Sequence, residues 1–248
     1  MSKLHLLLSA FLSFSLACHA AEVSVAVAAN FAAPMQRIAA AFEQETGHKS
    51  VLSFGSSGNL YAQIRHGAPF EILLSADSQT PAKLESEGLG LAGTRFTYAI
   101  GTLVLWSKQP GLIDEKGEVL RSGKFERLAI ANPKLAPYGL AAMQTLTQLG
   151  VLPHVQPKLV QGENISQAFQ FVASENAPLG LVALSQVMLE GKIAQGSVWI
   201  VPATLHAPIA QDAILLVKGR DNPVAPALLR YLRSDKAKAI MRSYGYTP

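Results

Sequence analysis

Hydrophobic residues recur along the chain in a repeated order: a short apolar strand, a loop of small residues and an amphipathic helix. The first unit shows the order clearly, because residues 23–28 alternate valine with alanine or serine. Pro34 then suits the first turn of a helix that Gly47 ends. Alternating strands and helices predict an α/β fold in which parallel sheets are covered by helices.

The same order of strand, loop and helix continues along the rest of the chain. Further strands are predicted over residues 49–54, 70–74, 127–131, 158–161, 179–183 and 198–201. The helix that contains Pro34 is predicted to end near residue 46, and a short helix after the strand over residues 179–183 is predicted to end near residue 189. Five further helices are predicted over residues 60–66, 80–87, 139–149, 165–174 and 223–244.

Two β-rich stretches, residues 95–106 and 209–218, are longer than a typical strand of about five or six residues. We therefore expect each to pass from one sheet to another. This predicts two lobes with a cleft between them, the first formed by residues 21–101 and 208–248 and the second by residues 102–207.

The first twenty residues are predicted to be a secretory signal peptide. Lys3 precedes an apolar run over residues 6–17, and small residues lead to Ala20 before polar Glu22. The run is shorter than the roughly 20 residues that span a bilayer. Cleavage after Ala20 predicts a periplasmic protein that begins at Ala21.

A retained, lipidated Cys18 is the alternative to cleavage after Ala20. It is disfavoured because Ser15 stands where a lipoprotein signal usually has leucine. Cys18 is the only cysteine, so a chain that begins at Ala21 has no thiol, as suits an oxidising compartment.

Composition indicates a compact globular protein, with 49% hydrophobic and 15% charged residues. The net charge of +4 is spread along the 248 residues without a basic run. This distribution argues against a nucleic-acid partner and leaves only a weak bias towards anions.

Four strand-to-helix junctions share small or hydrogen-bonding residues, and two come from each predicted lobe. Helix N-termini carry unpaired N–H groups and a partial positive charge, so such junctions can bind an anion without a basic side chain. Each residue also has a simpler interpretation: Asn30 and Ser57 as helix caps, Tyr138 as a packed aromatic and Ile165 as core. The junctions lie at residues 29–31, 56–58, 137–139 and 163–165.

Signals for an enzyme or a metal site are weak in this sequence. Residues 88–93 match a dinucleotide-binding pattern, but they follow a predicted helix and precede a strand, the reverse of the required order. Residues 55–58 lack the spacing of a nucleophile elbow. We therefore expect neither catalysis nor a cofactor. The histidines beyond residue 20 are isolated: His48, His66, His154 and His206.

Six stretches spread over nearly the whole chain resemble the periplasmic molybdate-binding proteins that feed ABC transporters. They keep the order of that family, and the combination is specific where any one alone would not be. They are VAVAANFAAPM (25–35), LSFGSSGNLYAQI (52–64), GAPFEILLSAD (67–77), RFTYAIGTLVLWS (95–107), IANPKLAPYGLAA (130–142) and APLGLVAL (177–184).

This resemblance implies a two-lobed class II periplasmic-binding-protein fold whose cleft holds molybdate or tungstate by hydrogen bonds alone. It also implies a membrane permease as partner, and we expect a monomer. Ala183 stands where many members have tyrosine, and Tyr138 is expected to replace that hydroxyl. The implied ligand contacts are Ala29, Asn30, Ser57, Tyr138 and Ile165.

Three alternatives remain open at this stage. A binding protein for sulfate or another oxyanion would differ only in cavity size. A secreted hydrolase would need a nucleophile and base that the sequence does not show. A binder of an organic anion would need an arginine in the cleft, for which Arg65 and Arg95 are the candidates.

Overall fold

The structure, a computed structural model, describes residues 21–248. The predicted signal peptide, its cleavage after Ala20 and the alternative at Cys18 lie outside the described residues. Within them the chain is a mixed α/β protein with two five-stranded sheets, each flanked by helices. The α/β class and the two lobes are thereby confirmed.

The first sheet has the strand order β2-β1-β3-β12-β4 and the second β11-β5-β8-β6-β7, while β9 and β10 form a small hairpin. We call each large sheet with its helices a lobe. The strands are β1 Glu22–Ala28, β2 Lys49–Gly55, β3 Ile72–Leu74, β4 Phe96–Gly101, β5 Leu103–Ser107, β6 Leu128–Ala131, β7 Leu159–Gly162, β8 Leu179–Ala183, β9 Met188–Leu189, β10 Lys192–Ile193, β11 Ser197–Ile200 and β12 Ile209–Leu215.

The helices cover both faces of each sheet, and buried apolar clusters lie on both faces. They are α1 Ala32–Thr46, α2 Ser57–Arg65, α3 Gln79–Ser86, α4 Glu118–Ser122, α5 Pro137–Gln148, α6 Leu152–Val155, α7 Ile165–Ala173, α8 Leu184–Val187, α9 Val224–Tyr231 and α10 Asp235–Ser243.

The centre of each sheet is parallel, as the alternating pattern predicts. β1 lies between β2 and β3 and is parallel to both, and β6 is parallel to both β7 and β8. Parallel strands that start from one edge all end at the opposite edge. The loops that follow β1, β2, β6 and β7 therefore meet at the cleft, which is where open α/β sheets bind ligands.

The chain crosses between the sheets twice, and the first crossing lies where the first long β stretch predicts it. Residues 95–106 form not one strand but two, because β4 pairs in the first sheet and β5 in the second, with Thr102 between them. The return crossing is made by residues 201–208, between β11 in the second sheet and β12 in the first. The second long β stretch therefore does not itself cross, because β12 pairs only with β3 and β4 of the first sheet. The exact residue bounds of the lobes remain a prediction.

Several helix bounds differ from the predicted ones. The second helix begins at Ser57 rather than near residue 60, because Ser56 caps it by accepting from the N–H of Asn59 at 3.4 Å. The helix predicted over residues 223–244 is two helices, since Ser234 accepts from the N–H of Ala237 and starts α10. The sequence interpretation did not include α4, α6 or the β9–β10 hairpin.

The last residues return to the first sheet. Ile100 and Thr247 exchange two backbone hydrogen bonds, with N···O distances of 2.8 and 3.3 Å, at the outer edge of β4. Tyr246 is buried in the first-lobe core, edge-on to Phe31 with ring centroids 5.3 Å apart. The C-terminal tail, residues 244–248, thus packs beside the strand that leads into the crossing.

Candidate functional site

A small cavity lies between the lobes and brings together all five residues that the resemblance implies as ligand contacts. Its volume is about 10 Å³, close to the space that one water molecule needs. The lobes are in direct contact around it. Its lining consists of Ala28, Ala29, Asn30, Gly55, Ser56, Ser57, Ala76, Ala136, Pro137, Tyr138, Asn164 and Ile165.

The N-terminus of α2 supplies Ser57 as its first residue. The first N–H groups of a helix have no partner within the helix. Here the N–H of Gly58 donates to Leu135 O of the second lobe at 2.9 Å, and that of Asn59 donates to the Ser56 hydroxyl. Neither of these bonds uses the N–H of Ser57 itself, which lines the cavity.

The hydroxyl of Ser57 is set up as a donor. Its Oγ accepts from the N–H of Ala76 and from the hydroxyl of Ser75, both at 3.0 Å. A hydroxyl has two acceptor sites and one proton, so both acceptor sites are filled and only the proton is free to bind a further group. Ser57 is 1% exposed, and that further group must therefore be an acceptor inside the cavity.

The second lobe offers two more helix N-termini, those of α5 and α7. Pro137 begins α5 and has no N–H, while the N–H groups of Gly139 and Leu140 donate to Ala136 O. These bonds do not use the N–H of Tyr138. That N–H is therefore the one amide that the first turn of α5 presents at the cavity.

A side-chain cap fixes the first turn of α7. Asn164 Oδ1 accepts from Ser166 N at 2.9 Å and from Gln167 N at 3.1 Å. The cap satisfies the second and third helical amides and leaves the first, that of Ile165, at the cavity. The expectation that Ile165 offers only its backbone agrees with its apolar side chain, and Glu163 is exposed, as predicted.

Asn30 has a different environment from the one the sequence suggests. Its side-chain Nδ2 donates to Gln211 Oε1 and to the Tyr246 hydroxyl, both at 2.9 Å. Both protons of the side-chain amide are thus used within the protein. The side chain fixes the turn Ala29–Phe31, and the backbone N–H of Asn30 is the group it has left for a ligand.

Gln211 is a residue that sequence reasoning missed. It is fully buried in β12, where Oε1 also accepts from the Tyr98 hydroxyl at 3.0 Å and Nε2 donates to the Tyr138 hydroxyl at 3.3 Å. Polar residues in the middle of a predicted strand, here Gln211 and Asp212 within Ile209–Leu215, are the signal that would have found it. The Tyr138 hydroxyl is therefore engaged at the crossing, where it lies against Gly101.

The tyrosines behind the cavity remain neutral. Burial raises the pKa of Tyr98 and of Tyr138 well above the usual range, and burial also raises the pKa of Tyr246. Their hydroxyls therefore stay protonated and place no negative charge next to the cavity.

The cavity lining contains no charged side chain. Arg95 pairs instead with Asp212, at 2.8 Å, and with Glu85, at 3.3 Å. Arg65 is exposed and lies 3.7 Å from Glu87. Neither arginine lines the cavity, so the geometry does not favour a binder of organic carboxylates.

A larger groove of about 280 Å³ adjoins the cavity. It shares Ala76, Ala136 and Pro137 with the cavity and contains the charged residues Asp77 and Lys134. Its width and mixed charge suit water and the passage of an ion towards the cavity better than the tight enclosure of a small ion.

The described residues offer neither a metal site nor a membrane-spanning helix. Among residues 21–248, no group of three or more His, Cys, Asp or Glu is placed to hold a metal ion. No helix in that range is long and apolar enough to cross a membrane.

Comparison with known proteins agrees with this geometry. The family model described as "Bacterial extracellular solute-binding protein" matches residues 23–247. The molybdate-binding protein ModA of Azotobacter vinelandii is 57% identical over 230 residues, 93% of this chain and 91% of that protein. ModA of Rhodobacter capsulatus is 48% identical over 239 residues, 96% of this chain and 93% of that protein.

Solved structures give the same result. The Azotobacter vinelandii periplasmic molybdate-binding protein superposes with a TM-score of 0.89 at 42% identity, covering 91% of this chain and 99% of that one. The sulfate-binding protein SubI of Mycobacterium tuberculosis, with a TM-score of 0.73 at 14% identity, shares the fold alone. The protein described here belongs to the bacterial extracellular solute-binding proteins, a family of transport proteins and not of enzymes.

Proposed function

We propose that this protein captures molybdate, and with it tungstate, outside the cytoplasm and delivers it to the permease of an ABC transporter. The observation that carries the proposal is the Ser57 hydroxyl, whose two acceptor sites are filled, so that only its proton can face a ligand. The names of the relatives supply the identity of the anion. No cofactor is needed, because molybdate is the cargo.

The donors proposed for the ligand come from both lobes. The first lobe offers the N–H groups of Ala29, Asn30 and Ser57 together with the Ser57 hydroxyl, and the second lobe offers the N–H groups of Tyr138 and Ile165. Three of these positions, Ser57, Tyr138 and Ile165, lie in the first turn of helices of nine or more residues, whose dipoles add partial positive charge. Such a site stabilises a dianion without a cationic side chain.

The same donor set supports a fully deprotonated ligand. Hydrogen phosphate carries a proton and needs an acceptor such as a carboxylate, but no Asp or Glu lines the cavity. Sulfate has the charge and shape of molybdate but is smaller. Discrimination against sulfate must therefore come from the size of the closed cavity.

The proposal includes the way the protein works. The protein is exported, cleaved before Ala21 and acts as a monomer. Its first lobe consists of residues 21–101 and 208–248 and its second of residues 102–207, and the two lobes close on the anion. Mass spectrometry of protein from the cell envelope tests that N-terminus. A lipid-modified Cys18 would show that the other type of signal is used.

Calorimetry with molybdate, tungstate, sulfate and phosphate tests the ligand. We expect molybdate and tungstate to bind tightly and sulfate at least about 100-fold more weakly, a gap of roughly 2.7 kcal/mol. Equal affinity for sulfate would assign the protein to the sulfate binders. Absence of binding by all four anions would refute the oxyanion proposal.

A further inference from the structure

The C-terminal tail carries a tyrosine to the back of the anion cavity. Tyr246 belongs to the first-lobe core and is 4% exposed, and its ring packs against Phe31. Its hydroxyl accepts from Asn30 Nδ2 at 2.9 Å. It also lies within donating distance of Asn30 O, at 2.9 Å, and of Ser185 Oγ, at 3.0 Å.

These contacts join the two lobes behind the site. Ser185 lies in α8 of the second lobe, and its hydroxyl donates to Asn30 O at 2.8 Å. Asn30, Tyr246 and Ser185 therefore form a closed triangle of hydrogen bonds, with two corners on the first lobe and one on the second. The triangle is complete only while the lobes are together.

The triangle controls the main chain at the site. Asn30 is 2% exposed, and its carbonyl oxygen and its side-chain amide both bond to members of the triangle. With its carbonyl group and its side chain both held, Asn30 has one conformation, and its N–H, in the preceding peptide group, points in one direction. A buried donor held in place needs no reorganisation when an anion enters, which increases affinity.

We propose that Tyr246 is a positioning residue for anion binding, which aligns the Asn30 turn and holds the closed lobes together through Ser185. The proposal rests on the function proposed above, because it concerns the same cavity. Its consequence is kinetic: without the Tyr246 hydroxyl the closed form loses an interlobe contact and opens sooner. The anion then leaves faster, while its rate of entry changes little.

A purely structural role must be separated from this one, and Tyr98 provides the matched control. Tyr98 also packs against Phe31, with ring centroids 4.8 Å apart, and is equally buried. Its hydroxyl bonds to Ser75 O and Gln211 Oε1, both in the first lobe, and it does not line the cavity. Tyr98→Phe and Tyr246→Phe each remove one hydrogen-bonded hydroxyl from the same core.

The experiment compares wild type, Tyr246→Phe, Ser185→Ala, the double variant and Tyr98→Phe. The dissociation rate of molybdate is measured by stopped-flow competition, and the stability of each variant by urea unfolding. We expect Tyr246→Phe to raise the dissociation rate about two- to tenfold, the range of one lost hydrogen bond. Ser185→Ala should match it, and the double variant should add little to either single change.

An interlobe distance provides a second readout that needs no ligand. Residues 21–248 contain no cysteine, so spin labels at Gln63→Cys on α2 and Gln170→Cys on α7 report only this distance. Both positions are exposed. The anion-free distribution should shift towards longer distances in Tyr246→Phe and not in Tyr98→Phe.

The outcomes separate this proposal from the proposed function. If wild type fails to bind molybdate, the function is wrong, and the anion-free distances still decide the role of Tyr246. If wild type binds molybdate but Tyr246→Phe leaves the dissociation rate and the distances unchanged, the positioning role is refuted. An equal rise in dissociation rate for Tyr98→Phe would also refute it, since general loss of core stability would then explain both.

Discussion

Removal of the Ser57 hydroxyl is the most direct test of how the cavity binds its anion. Ser57→Ala deletes the one side-chain donor proposed for the ligand. A hydrogen bond to a charged group contributes about 1.5–3 kcal/mol, so molybdate affinity should fall roughly ten- to a hundredfold. The remaining donors are backbone amides, which the substitution does not change.

The same substitution has a cost for stability. The N–H of Ala76 and the hydroxyl of Ser75 both lose their acceptor, and both lie in a buried environment. An unsatisfied buried group costs about 1–3 kcal/mol, so the free energy of unfolding should fall by an amount in that range. A drop in affinity alone would therefore not prove contact with the ligand.

Ser75→Ala is the matched control for this test. It removes a partner of Ser57 from an equally buried position that does not line the cavity, yet it leaves the Ser57 hydroxyl in place. Calorimetry with molybdate and urea unfolding should show similar losses of stability for the two variants, with the large loss of affinity confined to Ser57→Ala. Equal affinity losses in both variants would refute the reasoning.

Three further predictions concern the neighbours of the cavity. Ile165→Ala should bind molybdate with nearly unchanged affinity in calorimetry, because its backbone N–H survives; a loss as large as that of Ser57→Ala would contradict the backbone role. Arg95→Ala should leave affinity in calorimetry unchanged but lower the urea midpoint, because Asp212, 1% exposed, loses its only charged partner among the described residues. Burial raises the pKa of Asp77, so the folded state holds this proton more tightly than the unfolded state. The free energy of unfolding of the wild type should therefore decline as pH rises from about 3.8 through that raised pKa. Asp77→Asn should lack this decline when unfolding is measured across acidic pH.

The positions of the candidate site can be predicted from the sequence because each depends on neighbouring residues. A strand end, a small-residue loop and a helix start lie within about ten residues of each other, so periodicity and capping rules locate them. Ser57 and Ile165 were found in this way, and the structure places them at one cavity. The first crossing was found for a similar reason, since residues 95–106 are too long for one strand, whereas residues 209–215 form a single strand of the first sheet.

The support behind the site could not be found in this way, because it joins residues far apart in the chain. Asn30 bonds to Tyr246, 216 residues away, and to Gln211, 181 residues away. Nothing local to Asn30 shows that its side chain is already occupied. The break between α9 and α10 was missed for a different reason, since the apolar stripe continues across it and only the cap at Ser234 marks it.

The close approach of Gly58 and Leu135 determines how the pocket could change during evolution. A Cβ at residue 58 would lie 3.1 Å from both Cα and O of Leu135, so any other residue would push the two main chains apart by a few tenths of an ångström at this hydrogen bond. The spacing between the lobes at this point is thus set by one main chain against another. A substitution at residue 58 would hold the lobes slightly further apart, and the cavity that closes on the anion would be larger.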